Sequence, residues 1–311
     1  MRSDAEVIDE VLGSFRADDP ARPPVDAGRW VEQFAPDEQP VLLRVVRRWL
    51  GAYYWDPVRV QDVLDAVIAD LGGERVAMAP LQPAGSTQAC LNRLFTRRLR
   101  AHGVSMPSLA AQADVHVYLD DVVCTGRSLD RHLRRFIARL RPGASVLVFH
   151  LVEHAHDARH RRRALHDLAR DHGVALRTDH ALRVENRPEA LGGLEVIAPA
   201  PSSAPAVDPA YARAVRVGRS AYRLPDLFGD GPLYADADER DVVERALLRA
   251  GSRLAARARR LRPLGAGEGP TLGFGALTLT FHDAPATMPL PLWWHDPADP
   301  AAWFPLVARR G

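Results

Sequence analysis

Through the first 72 residues, apolar positions recur three and four apart, the spacing of one face of a helix. Ala5 to Phe15 forms a first amphipathic segment, which Pro20 to Pro24 interrupts. Trp30-Val31-Glu32-Gln33-Phe34 opens a second. Val41, Leu42, Val45, Val46, Trp49 and Leu50 line one side of a third, and Val58 to Leu71 makes a fourth that Gly72-Gly73 ends. From residue 75 the pattern changes. Short apolar runs at Arg75 to Leu81, Val115 to Leu119, Ser145 to Val152, Val174 to Leu182 and Leu194 to Ala198 alternate with helical stretches. Those stretches are Gln88 to Ala101, Leu129 to Leu140 and the basic, histidine-rich segment after Val152. Such alternation predicts a parallel sheet with right-handed crossovers and flanking helices. Pro199 to Pro209 reads as a linker. Beyond it lie a long helix over Ala237 to Leu261, an alternating strand over Ala276 to Phe281 and a Trp- and Pro-rich end. The expected organisation is a helical region at 1–73, an α/β core at 74–198, a linker at 199–209 and an α+β extension at 210–311.

The polar residues that interrupt this pattern are concentrated in one stretch, Val115-His116-Val117-Tyr118-Leu119-Asp120-Asp121-Val122-Val123-Cys124-Thr125-Gly126-Arg127-Ser128-Leu129. Five mostly aliphatic residues read as a buried parallel strand, with two carboxylates at its carboxyl end. Ligands of open α/β sheets bind off that end of the strands. Gly126 permits a close backbone approach or a positive φ. Thr125 and Ser128 supply hydroxyls, and the N–H groups that open the next helix point at the same spot, as at a phosphate site. Asp120 and Asp121 are acceptors when ionised, and suit sugar hydroxyls or a divalent cation. Adjacent side chains on a strand point apart, so the pair divides its work. A phosphate on one side and a diol on the other describes a 5-phosphoribosyl group. Haloacid-dehalogenase chemistry is excluded, because it needs a second Asp where Val122 stands.

Composition changes this picture in three ways. The formal net charge is only +2, which gives no global pull toward nucleic acid or membrane. All 41 residues of the Lys and Arg class are arginine, which excludes Schiff-base and Walker-lysine chemistry and leaves Arg, His or a metal to assist a pyrophosphate. Cys90 and Cys124 are the two cysteines, too few for a disulfide framework. With no apolar leader in Met1 to Glu10 and no membrane-length apolar window, the expectation is a cytoplasmic protein with no membrane partner. His156 and His160 stand i, i+4 in the basic segment, with no third metal ligand obviously arranged beside them.

The apolar strand, two acids, three spacers and Thr-Gly-x-Ser of residues 115 to 128 resemble the PRPP (phosphoribosyl pyrophosphate) motif of type I phosphoribosyltransferases. The resemblance implies that Asp120 and Asp121 hold the ribose hydroxyls as the catalytic acids and that Cys124, Thr125, Gly126, Arg127 and Ser128 take the 5′-phosphate. It implies Mg²⁺ as cofactor, held mostly by substrate oxygens and by Asp121. The turn Gln82-Pro83-Ala84-Gly85-Ser86-Thr87 stands where the family has its pyrophosphate loop, with Gly85, Ser86 and Thr87 as candidates. Only 35 positions separate Gly85 from Asp120, too few for the β-hairpin lid that the family inserts there.

The C-terminal third resembles a narrower group, the phosphoribosyltransferases with a C-terminal extension found in bacterial conflict systems. Its Gly-rich approach, strand, His-Asn-x-Pro-Asn, Pro-x-x-Trp and Trp-x-Pro-Leu correspond here to Gly273 onward, His282, Asp283, Pro285, Trp293 and Trp303 to Leu306. Asp283 and Ala286 stand where relatives carry Asn. His282, Asp283 and Trp293 are candidates for a ligand role or for a packed loop. The resemblance implies an α/β fold with a phosphoribosyltransferase-like parallel sheet flanked by helices. It also implies a PRPP or phosphoribosyl-nucleotide ligand and an antiphage role, with a partner defence protein or a reverse transcriptase–nucleic acid complex of the retron type. Two functional classes stay open: an enzyme acting at ribose C1, favoured by the acidic pair, and a non-catalytic sensor of a nucleotide or nucleic-acid 5′-phosphate, favoured by the missing lid.

Overall fold

The computed structural model describes residues 2–20, 22, 24–124, 126–185, 197, 233–257, 277–285, 288–295, 299 and 301–309. The chain divides into two compact units, Pro57–Val184 and Met1–Asp56 together with Glu185–Gly311.

The second of these units begins with helix α1 (Asp4–Val11), whose start is fixed by a reciprocal cap between Ser3 and Glu6. Helix α2 (Ala27–Val31) is capped by Asp26, which accepts the Arg29 N–H. Helix α3 (Gln39–Tyr53) buries Leu42, Val45, Val46, Trp49, Leu50 and Tyr53, so the apolar stripe of the sequence is a core face. Strand β1 (Tyr54–Trp55) follows directly. The C-terminal part of the unit contributes α8 (Ala237–Arg257, numbered over the described residues), β6 (Leu279–Thr280) and α9 (Leu290–Trp293). β1 and β6 pair in parallel, and α8 packs on α3 and α9.

Indole N–H groups stitch these distant segments together. Trp30 and Trp303 both donate to the Pro291 carbonyl, at 3.0 and 2.9 Å, and Trp49 donates to that of Leu277. Gln33 donates to the Phe304 carbonyl and accepts from the Phe304 N–H. Each contact satisfies a polar tip that burial would otherwise leave costly.

The unit Pro57–Val184 holds a four-stranded sheet in the order β2 (Val76–Met78), β3 (Val115–Val123), β4 (Ser145–His154), β5 (Ala175–Val184), with every pair parallel. Helices α4 (Pro57–Asp70), α5 (Thr87–Ala101), α6 (Arg127–Ile137) and α7 (Ala155–Asp171) connect and flank it. One face carries Tyr118, Val146 and Val148, packed with Leu133 and Ile137 of α6 and Leu165 and Ala169 of α7. The other face is reached by α4, whose Asp70 pairs with Arg177 of β5, and α5 packs on α4 and β3. Two covered faces explain why β3 and β4 read as continuous apolar runs rather than alternating ones. The architecture is α/β, a parallel sheet flanked by helices, as expected.

Element boundaries differ from expectation in instructive places. β3 continues through Asp120 and Asp121 to Val123, because its ladder with β4 holds Asp120, Val122 and Val123 opposite His150, Val152 and Glu153. α6 begins at Arg127 rather than Leu129. β2 is limited to Val76–Met78, since beyond it the backbone N–H groups of Leu81 and Gln82 go to a side chain instead of a ladder. β6 is shorter than the alternation at 276–281 suggested. The expected strand at 194–198, save Ile197, and the expected linker at 199–209 lie outside the described residues, as do the side chains of His156 and His160. Among the described residues, no helix is long and apolar enough to cross a membrane.

Candidate functional site

β3 is an interior strand of its sheet and delivers the two acids near its carboxyl end. The period of two puts them on opposite faces. Asp120 shares its face with Tyr118, whose hydroxyl donates to Asp120 Oδ2 at 2.9 Å. Gln82, from the turn after β2, donates its Nε2 to the same oxygen at 2.6 Å and to the Tyr118 oxygen at 3.2 Å. The Asp121 N–H donates to Asp120 Oδ1 at 3.1 Å. Burial raises the Asp120 carboxyl above the ordinary carboxylate range, and the donors from Tyr118, Asp121 and Gln82 pull it back. Burial, and then the neighbouring Asp120, push the Tyr118 phenol upward, so it stays a donor. Asp121 is half-buried and its Oδ1 accepts the Val122 N–H at 2.8 Å.

The turn that follows is built for backbone donors. Gly126 is buried, sits at φ 66°, in the left-handed region, and is the N-cap of α6. It has no side chain to cap the helix, and no side chain among the described residues accepts from the first-turn N–H groups. Asp130, also in the first turn, uses its N–H on the Gly126 carbonyl at 2.8 Å. Cys124 is half-buried at the end of β3, and Ser128 is exposed in the first turn of α6. Thr125 lies outside the described residues, as does the side chain of Arg127.

The β2–α5 turn has the same logic. Gly85 has φ 89°, with open space where a Cβ would stand. Ser86 is the N-cap of α5 and accepts the Ala89 N–H at 3.2 Å, which leaves its hydroxyl hydrogen available. Thr87 opens the helix. Gln88, wholly buried in that first turn, accepts the N–H groups of both Leu81 and Gln82 at 2.9 and 2.8 Å. Gln82 therefore joins the two turns, because it belongs to the first and holds the acid that leads into the second.

Asp120, Asp121, Cys124, Gly126, Ser128, Gly85, Ser86 and Thr87 all belong to the sheet unit. His282, Asp283 and Trp293 belong to the other unit. There His282 is buried, Asp283 accepts the Ala284 N–H, and Trp293 donates its indole N–H to the Met288 carbonyl at 2.8 Å. Three residues of the acid network, Tyr118, Gln82 and Gln88, were not among the candidates. Tyr118 was legible, since it stands two residues before Asp120 on a strand and so shares its face. A single glutamine in a turn, or in the first turn of a helix, carries no such signal.

A parallel sheet that runs an acidic strand into a left-handed glycine and a helix start defines an α/β protein whose candidate site lies off the carboxyl end of β3. Compared with protein-family models, the chain matches PRTase-CE over residues 27–309, nearly its whole length, and it belongs to that phosphoribosyltransferase-like family. No curated protein and no solved structure matches it.

Proposed function

We propose that the protein binds PRPP or a phosphoribosyl nucleotide with Mg²⁺ in the sheet unit and acts at ribose C1, as a component of bacterial antiphage defence. The observation that carries this reading is the acid pair near the carboxyl end of β3, with left-handed Gly126 five residues beyond Asp121 and a start of α6 that no described side chain caps. A protein needing phosphate affinity alone gains nothing from two carboxylates beside the anion, which they repel. Diol recognition gives them a purpose.

The residues fit a hard cation. Asp121 offers carboxylate oxygens of the type Mg²⁺ takes, few enough that most of its shell would come from water and ligand phosphates, while Asp120 is engaged by Tyr118, Gln82 and the Asp121 N–H. Bound there, Mg²⁺ would neutralise charge on a departing pyrophosphate. The chain's own part is to fix the sugar through Asp120 and Asp121, to seat the 5′-phosphate on the N–H groups of α6, and to receive the pyrophosphate at Gly85, Ser86 and Thr87. Donors preset toward developing charge cost no reorganisation during bond breaking.

A second reading, a non-catalytic sensor of the same ligand class within a defence complex, is favoured by one observation. Between Ala101 and Val115, all of it described, there is a single 3₁₀ turn at Ala110–Gln112 and no strand, hence no hairpin to close over a reactive sugar. Incubation with PRPP, Mg²⁺ and a cell extract separates the two. Release of pyrophosphate by the wild type, lost in Asp121→Asn, supports the enzyme. Binding of PRPP with no release in any extract supports the sensor.

A further inference from the structure

We propose that Gln82 is a positioning residue for Asp120, and that Gln88 holds Gln82 in place, so that the β2–α5 turn and the β3 acid grip a phosphoribosyl ligand as one piece. This rests on the ligand class assigned above.

The Asp120 carboxylate accepts from Tyr118 Oη and Gln82 Nε2 on Oδ2, and from the Asp121 N–H on Oδ1. Of these, Gln82 alone comes from another element. It reaches β3 from the turn that carries Gly85 and Ser86. Its own backbone is tied down by Gln88 Oε1, which accepts from two successive N–H groups. Gln88 Nε2 is buried and has no hydrogen-bond partner among the described residues, so the oxygen is the working end of that side chain. An acid held in one orientation before the ligand arrives binds a diol without the entropic cost of being ordered. The consequence is specific: loosening Gln82 should weaken the hold on the sugar, and leave the hold on the pyrophosphate end.

Calorimetric titrations test this with two ligands, PRPP–Mg²⁺ and inorganic pyrophosphate–Mg²⁺. Gln82→Leu should weaken PRPP by roughly tenfold or more, the effect of losing a hydrogen bond to a charged group, while pyrophosphate affinity stays at the wild-type value. Gln88→Leu frees the backbone of the turn itself and should weaken both PRPP and pyrophosphate. Gln82→Glu, which cannot donate to Asp120 when ionised, should lose PRPP affinity like Gln82→Leu, and Gln82→Asn, whose amide is one methylene short of Asp120, should fall between wild type and Gln82→Leu. If Gln88→Leu does not fold, the Gln82 series decides alone. Equal weakening of both ligands by Gln82→Leu, or no weakening of PRPP by it, would each overturn the positioning role. A wild-type protein that binds no PRPP overturns the proposed function itself, and this inference with it; that outcome is read before any variant is made.

Discussion

Asp120 of β3 and His150 of β4 are register partners on adjoining parallel strands, and the ring of His150 lies 6.1 Å from that of Tyr118, the phenol that donates to Asp120. His150 is almost fully buried and its Nε2 has no partner among the described residues. Burial, with Arg162 and His180 nearby, holds its pKa down at about 3. His154, two pleats further along β4, is completely buried and held at about 4 by burial alone. The sheet unit thus buries two neutral imidazoles, and one of them, His150, stands opposite the acid.

This sets a pH dependence of stability. Both imidazoles take up a proton readily when the chain unfolds and resist it when folded, so stability is lost as pH falls below the ordinary histidine range. The loss continues down to the folded values near 4 and 3. Asp120 has the opposite sign, because its raised carboxyl costs stability when ionised and returns it as pH falls. Urea denaturation at pH 7 and pH 5 should show each histidine contributing a loss of about 2 kcal/mol over that interval. In His150→Leu, the difference between the two pH values should shrink by about that amount; an unchanged difference would show that His150 is not buried neutral.

Gly126 offers a second check, because its φ of 66° is a backbone requirement. Gly126→Ala should destabilise by about 1–2 kcal/mol, the cost of a left-handed residue with a Cβ. Gly126→Asn should cost less, since Asn tolerates that region. Thermal unfolding reads the order Gly, Asn, Ala. A reversal of Asn and Ala would contradict the turn conformation at the start of α6.

In the other unit, the Pro291 carbonyl receives two indoles, and Phe34 meets Trp303 edge-on at 5.5 Å. Trp303→Phe keeps the ring contact and loses one donor, and should cost about 1 kcal/mol. Trp303→Ala also leaves a cavity, and should cost about 3–5 kcal/mol. Equal costs for the two in denaturant titrations would show that the hydrogen bond, and not the packing, dominates at this position.

The sheet was legible because β3, β4 and their helices announce themselves locally, through apolar runs, glycine ends and amphipathic stripes. The acids, the glycine and the turn of the candidate site stand together in the sequence, so their placement on one strand-to-helix connection was legible for the same reason. Strand ends were not. Nothing in Asp120-Asp121-Val122-Val123 says that pairing with β4 outlasts the apolar run, since that depends on the partner's register. Gln82 and Gln88 escaped notice because their roles exist only once β2, α5 and β3 are side by side. The joining of α3 to α8, and of Trp30 to Pro291 261 residues away, is a long-range packing choice on which local periodicity is silent.

The central claim is that the acids of β3 and the turn beyond them hold a phosphorylated ribose. Isothermal titration of PRPP–Mg²⁺ into wild-type protein and into the Asp120→Asn, Asp121→Asn double variant tests it most directly, with circular dichroism to show that both are folded. The expected result is saturable binding by the wild type and none detectable by the variant. The same affinity in the two proteins would contradict it.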